Sequence, residues 1–308
     1  MIVPSLDRRD RQNDRVTNHI ERVLSDSILD QFSLEVAVRD AEKLRLVADT
    51  LPANAVVSIP FLPVEDNGDR IAAAGVVRSL GFEPMPHISA RRIGSQDELE
   101  QFLEGLAEQA KVRRLLVVAG DPSQLLGPYS DSVSVLRSGL LERYGISHVA
   151  VAGHPEGHPH INAQEGVDAM RLKQSILTDL GIDWSIVTQF AFSSEPVLEW
   201  IKDMRQNGFA VPIHVGVPGP ATVKTLLRFA AICGVGASTS VMRRYGLSIT
   251  KLLSSAGPDG LVDSYRDAID PQSHGNVRLH FYPFGGLIKV ADWIRDYSAS
   301  STSNISRY

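Results

Sequence analysis

Eight short apolar segments recur along this chain, each followed by a stretch with helical spacing, and that alternation limits the possible folds more than any other feature. The segments are Phe32–Val38, Val56–Phe61, Glu83–Ser89, Arg114–Gly120, His148–Ala152, Ser185–Phe192, Pro212–Val217 and Val277–Tyr282. Helix-like stretches occupy 39–49, 66–80, 95–110, 130–144, 163–180, 194–206 and 220–232, with a last one near 286–297. The seventh connection is longer and carries further helical pattern near 237–254 and 259–269. Strands alternating with helices imply a parallel sheet. Eight such units in 308 residues favour a closed barrel over an open doubly wound sheet. No Gly-x-Gly-x-x-Gly follows the first strand and no Walker lysine motif occurs, which also disfavours the open nucleotide-binding folds. The expected fold class is therefore α/β, a single (β/α)8 (TIM) barrel with an N-terminal helical extension. Residues 1–30 form the extension, 31–298 the barrel domain and 299–308 a flexible tail.

The extension begins polar, but Val16, Ile20, Val23, Leu24 and Ile28 follow helical spacing. That predicts a helix over one end of the domain, whose polar face could equally serve a homo-oligomer contact. A net charge of −5 without a basic block argues against a nucleic-acid partner. One cysteine, Cys233, excludes an intramolecular disulfide and fits a reducing cytoplasm. The N-terminus lacks the apolar core of a signal peptide. No apolar run approaches the ~20 residues needed to cross a membrane.

In a barrel of this class the chemistry sits where the strands end. The polar residues near those ends form a distinctive set. Glu35 stands among apolar neighbours in SLEVAV, where a carboxylate is costly unless neutral or paired. Burial would raise its pKa and suit it to general acid catalysis, the alternative being a structural pair with a basic group of the core. His87 ends the third strand, Asp121 the fourth behind Gly120, and Gln189 lies in the sixth within VTQFAF. His214 and the VGVPGP turn close the seventh. The fifth strand runs into HPEGHPH, where His154, Glu156, His158 and His160 are held in a loop stiffened by Pro155 and Pro159. Histidines at that spacing could hold zinc. The stiff loop and the absence of cysteine at the rim favour instead a planar organic cofactor held by imidazoles, glycine backbone and an aspartate.

Taken together, Glu35, PHIS with His87, AGD with Asp121, HPEGHP, TQFAF with Gln189, and GVPGP resemble the flavin-dependent methylenetetrahydrofolate reductases, from Phe32 to about Trp293. HPEGHP followed by TQF is the most specific part. The resemblance implies a (β/α)8 barrel with FAD at the strand ends. It also implies hydride passage from NAD(P)H through the flavin to 5,10-methylenetetrahydrofolate, giving 5-methyltetrahydrofolate. By the same resemblance Glu35 is the acid that opens the folate's methylene bridge, and Asp121 the carboxylate beside flavin and pterin. Gln189 and Phe229 contact folate or nicotinamide. Phe61, His87, Gly120, Ser130, His154, His158, Asp168 and Arg171 match flavin-contact positions. For Phe229 a plain core role in LLRFAAI is an equal alternative.

The chain also departs from the family pattern. Pro60 stands where a threonine is frequent, Ala119 where an arginine precedes Gly-Asp, His154 where tyrosine opens the loop, and Ser175 where a lysine follows the fifth strand. Gly285 and Gly286 replace a polar residue and an arginine. Losing two cations weakens the grip on a pyrophosphate unless Arg171, Lys173 or Arg91 substitutes. These changes mark a divergent branch, one that could work in the catabolic oxidation of methyl-folate. A flavin-free methyltransferase and a non-catalytic folate-binding barrel stand as competing readings.

Overall fold

The computed structural model describes residues 28–120, 125–158, 160–233 and 255–305. Eight parallel strands close into a barrel in sequence order: β1 Ser33–Glu35, β2 Val56–Ile59, β3 Glu83–Ser89, β4 Arg114–Val118, β5 His148–Gly153, β6 Asp183–Phe190, β7 Ile213–Pro218 and β8 Val277–Tyr282. Closure is made by β1, which pairs with β8 through Ser33 and Leu34 and with β2 through Leu34 and Glu35. The register of β6 against β7 shifts between Val187 and Phe190. Beyond β7 a short antiparallel ribbon pairs Ala221–Thr222 with Ser255–Ala256.

Around the ring lie α1 Asn67–Ser79, α2 Gln96–Ala110, α3 Ser132–Leu136, α4 Leu140–Arg143, α5 Ala163–Asp179, α6 Glu195–Gln206, α7 Val223–Ile232, α8 Asp259–Ala268, α9 Pro271–His274 and α10 Leu287–Ile305. Local chemistry sets several starts. The Asp66 carboxylate accepts from the Asp69 amide at α1, Ser95 from Glu98 at α2, and Asn162 with Glu165 forms a reciprocal capping box at α5. Strand residues facing the helices, among them Leu34, Val57, Leu115, Val149, Ile186, Val215 and Phe281, are fully buried with the helices' apolar faces.

Some expected elements take another form. The helix over 39–49 is replaced by 3-10 turns at Val38–Leu46 and Ala48–Thr50. Its apolar residues Val38, Ala41, Leu44 and Val47 recur every third position, the period of a 3-10 helix, and no side chain caps its start. The helix over 130–144 is split into α3 and α4 at Gly139, whose φ of 73° is left-handed. Helix α10 runs to Ile305, into the segment expected as a tail. The pattern at 237–254 and residues 1–27 lie outside the described residues.

The lumen is unusual. Branched apolar side chains ordinarily fill such a barrel. Here Met85, Leu116, Ala150 and Val187 form an apolar plug on the β3–β6 side only. On the β7–β8–β1 side Ser33 bonds both His280 and His214, and across the ring His148 bonds Ser185.

Candidate active site

Glu35 is the last residue of β1, so it stands at the C-terminal rim. Burial pushes its carboxyl up from 4.5 to about 7. The side chain keeps 21 % of its surface, so it is surrounded by protein yet reachable. His87 Nε2 lies 3.7 Å from Glu35 Oε2 and 2.6 Å from the Ser58 hydroxyl. It carries no charge to hold the carboxylate, because burial, with a smaller push from Arg70, drops the imidazole to about 3. A neutral histidine beside a desolvated acid leaves a large share of that acid protonated near neutral pH.

Arg70 is the residue sequence reasoning missed here. It is 2 % exposed, donates to the His87 carbonyl and to Asn67 Oδ1, and lies over the rings of Phe61 and Phe102. It thereby pins β3 at the level of His87. An arginine on the buried face of α1, four residues before Ala74 and one before Ile71, was the signal that could have found it. Phe61 is drawn into this cluster. Its ring stands 5.2 Å from the guanidinium carbons of both Arg70 and Arg92, in a groove between α1 and α2.

A second group gathers where β3, β4 and β5 end. Gly120 takes a left-handed φ of 86°, and Asp121 lies outside the described residues. Arg91 bonds the Ala119 carbonyl through its backbone and the Ser130 carbonyl through its side chain, while the Ser130 hydroxyl turns to Asp131. The fifth-strand loop turns on Gly157, with φ 93°, and sets the His154 and His158 rings edge to face at 4.7 Å. Lys173 reaches this group from α5. Burial lowers its ammonium pKa against the pull of Asp131, and burial above all, with a smaller push from this ammonium, keeps His154 and His158 neutral, His154 at about 4.

Asp168 accepts from Gln164 on its own helix, whereas Arg171 donates to Asn207 and lies over Phe209, which puts Arg171 on the flank between α5 and the end of α6. Gln189 sits at the register shift in β6, its Oε1 accepting from the Phe190 amide at 3.0 Å. Phe229 stacks on Phe284 at 4.2 Å, within an aromatic group that includes Phe190 and Tyr282. Gly285 can bear no side chain there, since a Cβ would fall 2.0 Å from the Pro220 carbonyl oxygen. His214 is the second residue of β7 and belongs to the opposite mouth, not to the rim.

At that N-terminal mouth a cavity of about 1150 Å³ opens, lined by residues including Arg114, His148, Ser185, His214 and Arg278. It is large, yet it lies at the end of the barrel where such folds place stability rather than chemistry. Among the described residues, no three His, Cys, Asp or Glu side chains are placed to hold a metal ion, and no helix is long and apolar enough to cross a membrane.

Fold and rim together define a (β/α)8 barrel with a buried acid, its carboxyl raised to about 7, at the end of β1 and a cationic, imidazole-lined group at the ends of β3–β5. The family model described as methylenetetrahydrofolate reductase matches residues 64–282, and the chain belongs to that family. Glu35 and Phe61 precede the matched range. Curated relatives include methylenetetrahydrofolate reductase (NADH) 1 of Arabidopsis thaliana, 29% identical over 167 residues, covering 49% of this chain and 27% of that one. Methylenetetrahydrofolate reductase 2 of Saccharomyces cerevisiae is 29% identical over 172 residues, covering 53% and 27%. The match thus spans about a quarter of the relatives' length. Among solved structures, a Clostridium thermocellum protein described as binding two copies of 5-methyl-5,6,7,8-tetrahydrofolic acid shares the fold, with a TM-score of 0.56 at 13% identity over 88% of this chain and 98% of that one.

Proposed function

We propose that this chain interconverts 5,10-methylenetetrahydrofolate and 5-methyltetrahydrofolate, with FAD at the ends of β3–β5 and NAD(P)H as co-substrate. Family membership supports the reading, and the state of Glu35 carries it. Methylene-folate resists hydride until its five-membered ring opens, and opening needs a proton on the leaving nitrogen. A carboxyl held at about 7 can supply that proton near neutral pH. In the oxidative direction the same carboxylate takes the proton back.

The donor set beneath the fifth-strand loop fits a pyrophosphate. Lys173 is a desolvated cation that faces Asp131, and Arg91 and His158 stand beside it. Charge-assisted bonds from these groups would hold the cofactor's phosphates. Of the three cations that could take that task, Arg171, Lys173 and Arg91, we place it on Lys173 with Arg91 beside it, because Arg171 is engaged with Asn207. FAD, when bound, would carry the hydride between nicotinamide and folate. Asp121 would accept the pterin's N–H groups, Gln189 would orient the ligand, and the Phe229–Phe284 pair would offer it an aromatic wall.

The test is a titration of the purified full chain with FAD and then with 5-methyltetrahydrofolate. Flavin should bind and be bleached by the methyl-folate. Absence of flavin binding, with methyl-folate still bound, would replace this reading with the flavin-free one.

A further inference from the structure

We propose that His214, Ser33 and His280 form a proton path through the barrel, connecting the N-terminal mouth to Glu35. The inference rests on the reading of Glu35 as an acid that must be recharged at each turnover.

The geometry is continuous at its lower end. His214 lines the cavity at the mouth, and its Nδ1 lies 3.3 Å from the Ser33 hydroxyl. The same hydroxyl lies 2.8 Å from His280 Nδ1. Ser33 and His280 are 1 % and 0 % exposed. His280 Nε2 is buried and has no hydrogen-bond partner among the described residues. An orphaned imidazole nitrogen in a barrel core is costly, and a bridging water is its ordinary remedy. Ser33 and Glu35 alternate on one strand, so both project to the lumen side. His87, the ionisable neighbour of Glu35, is close enough to His280 to influence its charge. The apolar plug of Met85, Leu116, Ala150 and Val187 closes the other side of the lumen, so the path runs along β7, β8 and β1.

A hydroxyl between two Nδ1 atoms donates to one imidazole and accepts from the other. When Ser33 donates to His280, His280 carries its proton on Nε2 and His214 on Nδ1. His280 then yields its Nε2 proton, through one water, to the Glu35 carboxylate. Ser33 passes its hydroxyl proton to His280 Nδ1 and takes the Nδ1 proton of His214, and His214 recovers one from the cavity on Nε2. One proton enters and one leaves, and no imidazolium is needed. That suits the site, since His214 is faced by His280, Arg278, His148 and Arg114, and His280 by His87. Burial above all holds both imidazoles neutral, and the nearby Arg278 and Arg114 add to that at His214. Tyr282 and His87 face Glu35 itself.

The deciding variant is Ser33→Ala, with Ser33→Thr as the conservative rescue. A single turnover of reduced enzyme with methylene-folate uses the proton already on Glu35 and should keep its wild-type rate. Repeated turnover should slow by about tenfold or more, within the range of general acid–base contributions, and the threonine should restore it. With 5-methyltetrahydrofolate bound over the rim, infrared spectroscopy of the Glu35 carboxyl in deuterated buffer should show uptake slowed by a similar factor. Should Ser33→Ala fold poorly, His214→Ala with imidazole added to the buffer makes the same test, and imidazole should restore turnover through the cavity. Equal slowing of single and repeated turnover, or deuterium uptake at the wild-type rate, would overturn the path. The acid reading fails separately, if Glu35→Gln leaves methylene-folate reduction intact, and the infrared result then still decides the path.

Discussion

The Tyr282 hydroxyl donates to the Thr188 carbonyl at 3.0 Å, tying the end of β8 to the register shift in β6 across the intervening strand. Thr188 Oγ1 in turn accepts from the Gly216 amide of β7 at 2.9 Å. Thr188 thus links three neighbouring strands, and Gln189 follows it directly. Tyr282→Phe should therefore leave the barrel folded, at a cost of about 1 kcal/mol for the lost bond. It should raise KM for the folate severalfold more than it lowers kcat. Steady-state kinetics beside denaturant unfolding would check this, and an unchanged KM would mean the bond does not orient Gln189.

Glu35→Gln keeps size and polarity but cannot deliver a proton. Reduction of the flavin by NAD(P)H should persist in this variant, while the folate half-reaction should fall by ~10²–10⁴-fold. Stopped-flow measurement of the two halves separates them. Equal slowing of both would make Glu35 a structural group.

Two cations on α5 offer a contrast within one helix. Lys173→Ala should weaken FAD binding by at least about tenfold, since a desolvated charge-assisted contact is worth more than 1.4 kcal/mol. Arg171→Ala, which removes a bond to Asn207 on the flank, should leave FAD affinity within about twofold and cost at most ~1 kcal/mol of stability. Fluorescence titration of both variants would read this, and a reversed order would return the phosphate contact to Arg171.

Stability should depend on pH with two opposing slopes. His87, His214 and His280 are lowered to about 3, and His148 and His154 to about 4, from 6.5. The unfolded chain therefore binds more protons below 6.5, and stability is lost as pH falls through that value. Glu35 runs the other way. Its folded pKa of about 7 exceeds the ordinary 4.5, so its contribution is present below 4.5 and lost as pH rises to 7. Urea midpoints should fall steeply below pH 6.5. Glu35→Gln should gain on the wild type between pH 4.5 and 7, and parallel curves over that window would contradict the raised carboxyl.

The strand pattern was legible because it depends on local alternation. Glu83–Ser89 and Val277–Tyr282 appear in the structure with the bounds their apolar runs suggest. The acid at the end of β1 was legible for the same reason, as a charge in an apolar run. What fills the lumen was not. Alternation tells which residues share a face, but not that Ser33, His214 and His280 would meet from three strands. Lys173 was legible as one candidate cation beside Arg171 and Arg91, but helical spacing alone does not choose among them; the burial of its ammonium beside the fifth-strand loop does. Gly285 is explained by an approach of the Pro220 carbonyl that no local pattern encodes.

The ring closes on its shortest member. β1 spans three residues and meets each neighbour through two register pairs, where β7 and β8 share six. Local opening favours segments with the least ladder support, so the amides of Leu34 and Glu35 should exchange with solvent before those of β8. Each opening wets the carboxyl further and favours its ionisation, so on the proposed reading the acid loses its proton through a leak that chemistry at the rim does not control. A barrel that stores its proton on its weakest seam limits its own retention, and the frequency of seam opening sets how long the acid can stay protonated before a substrate arrives.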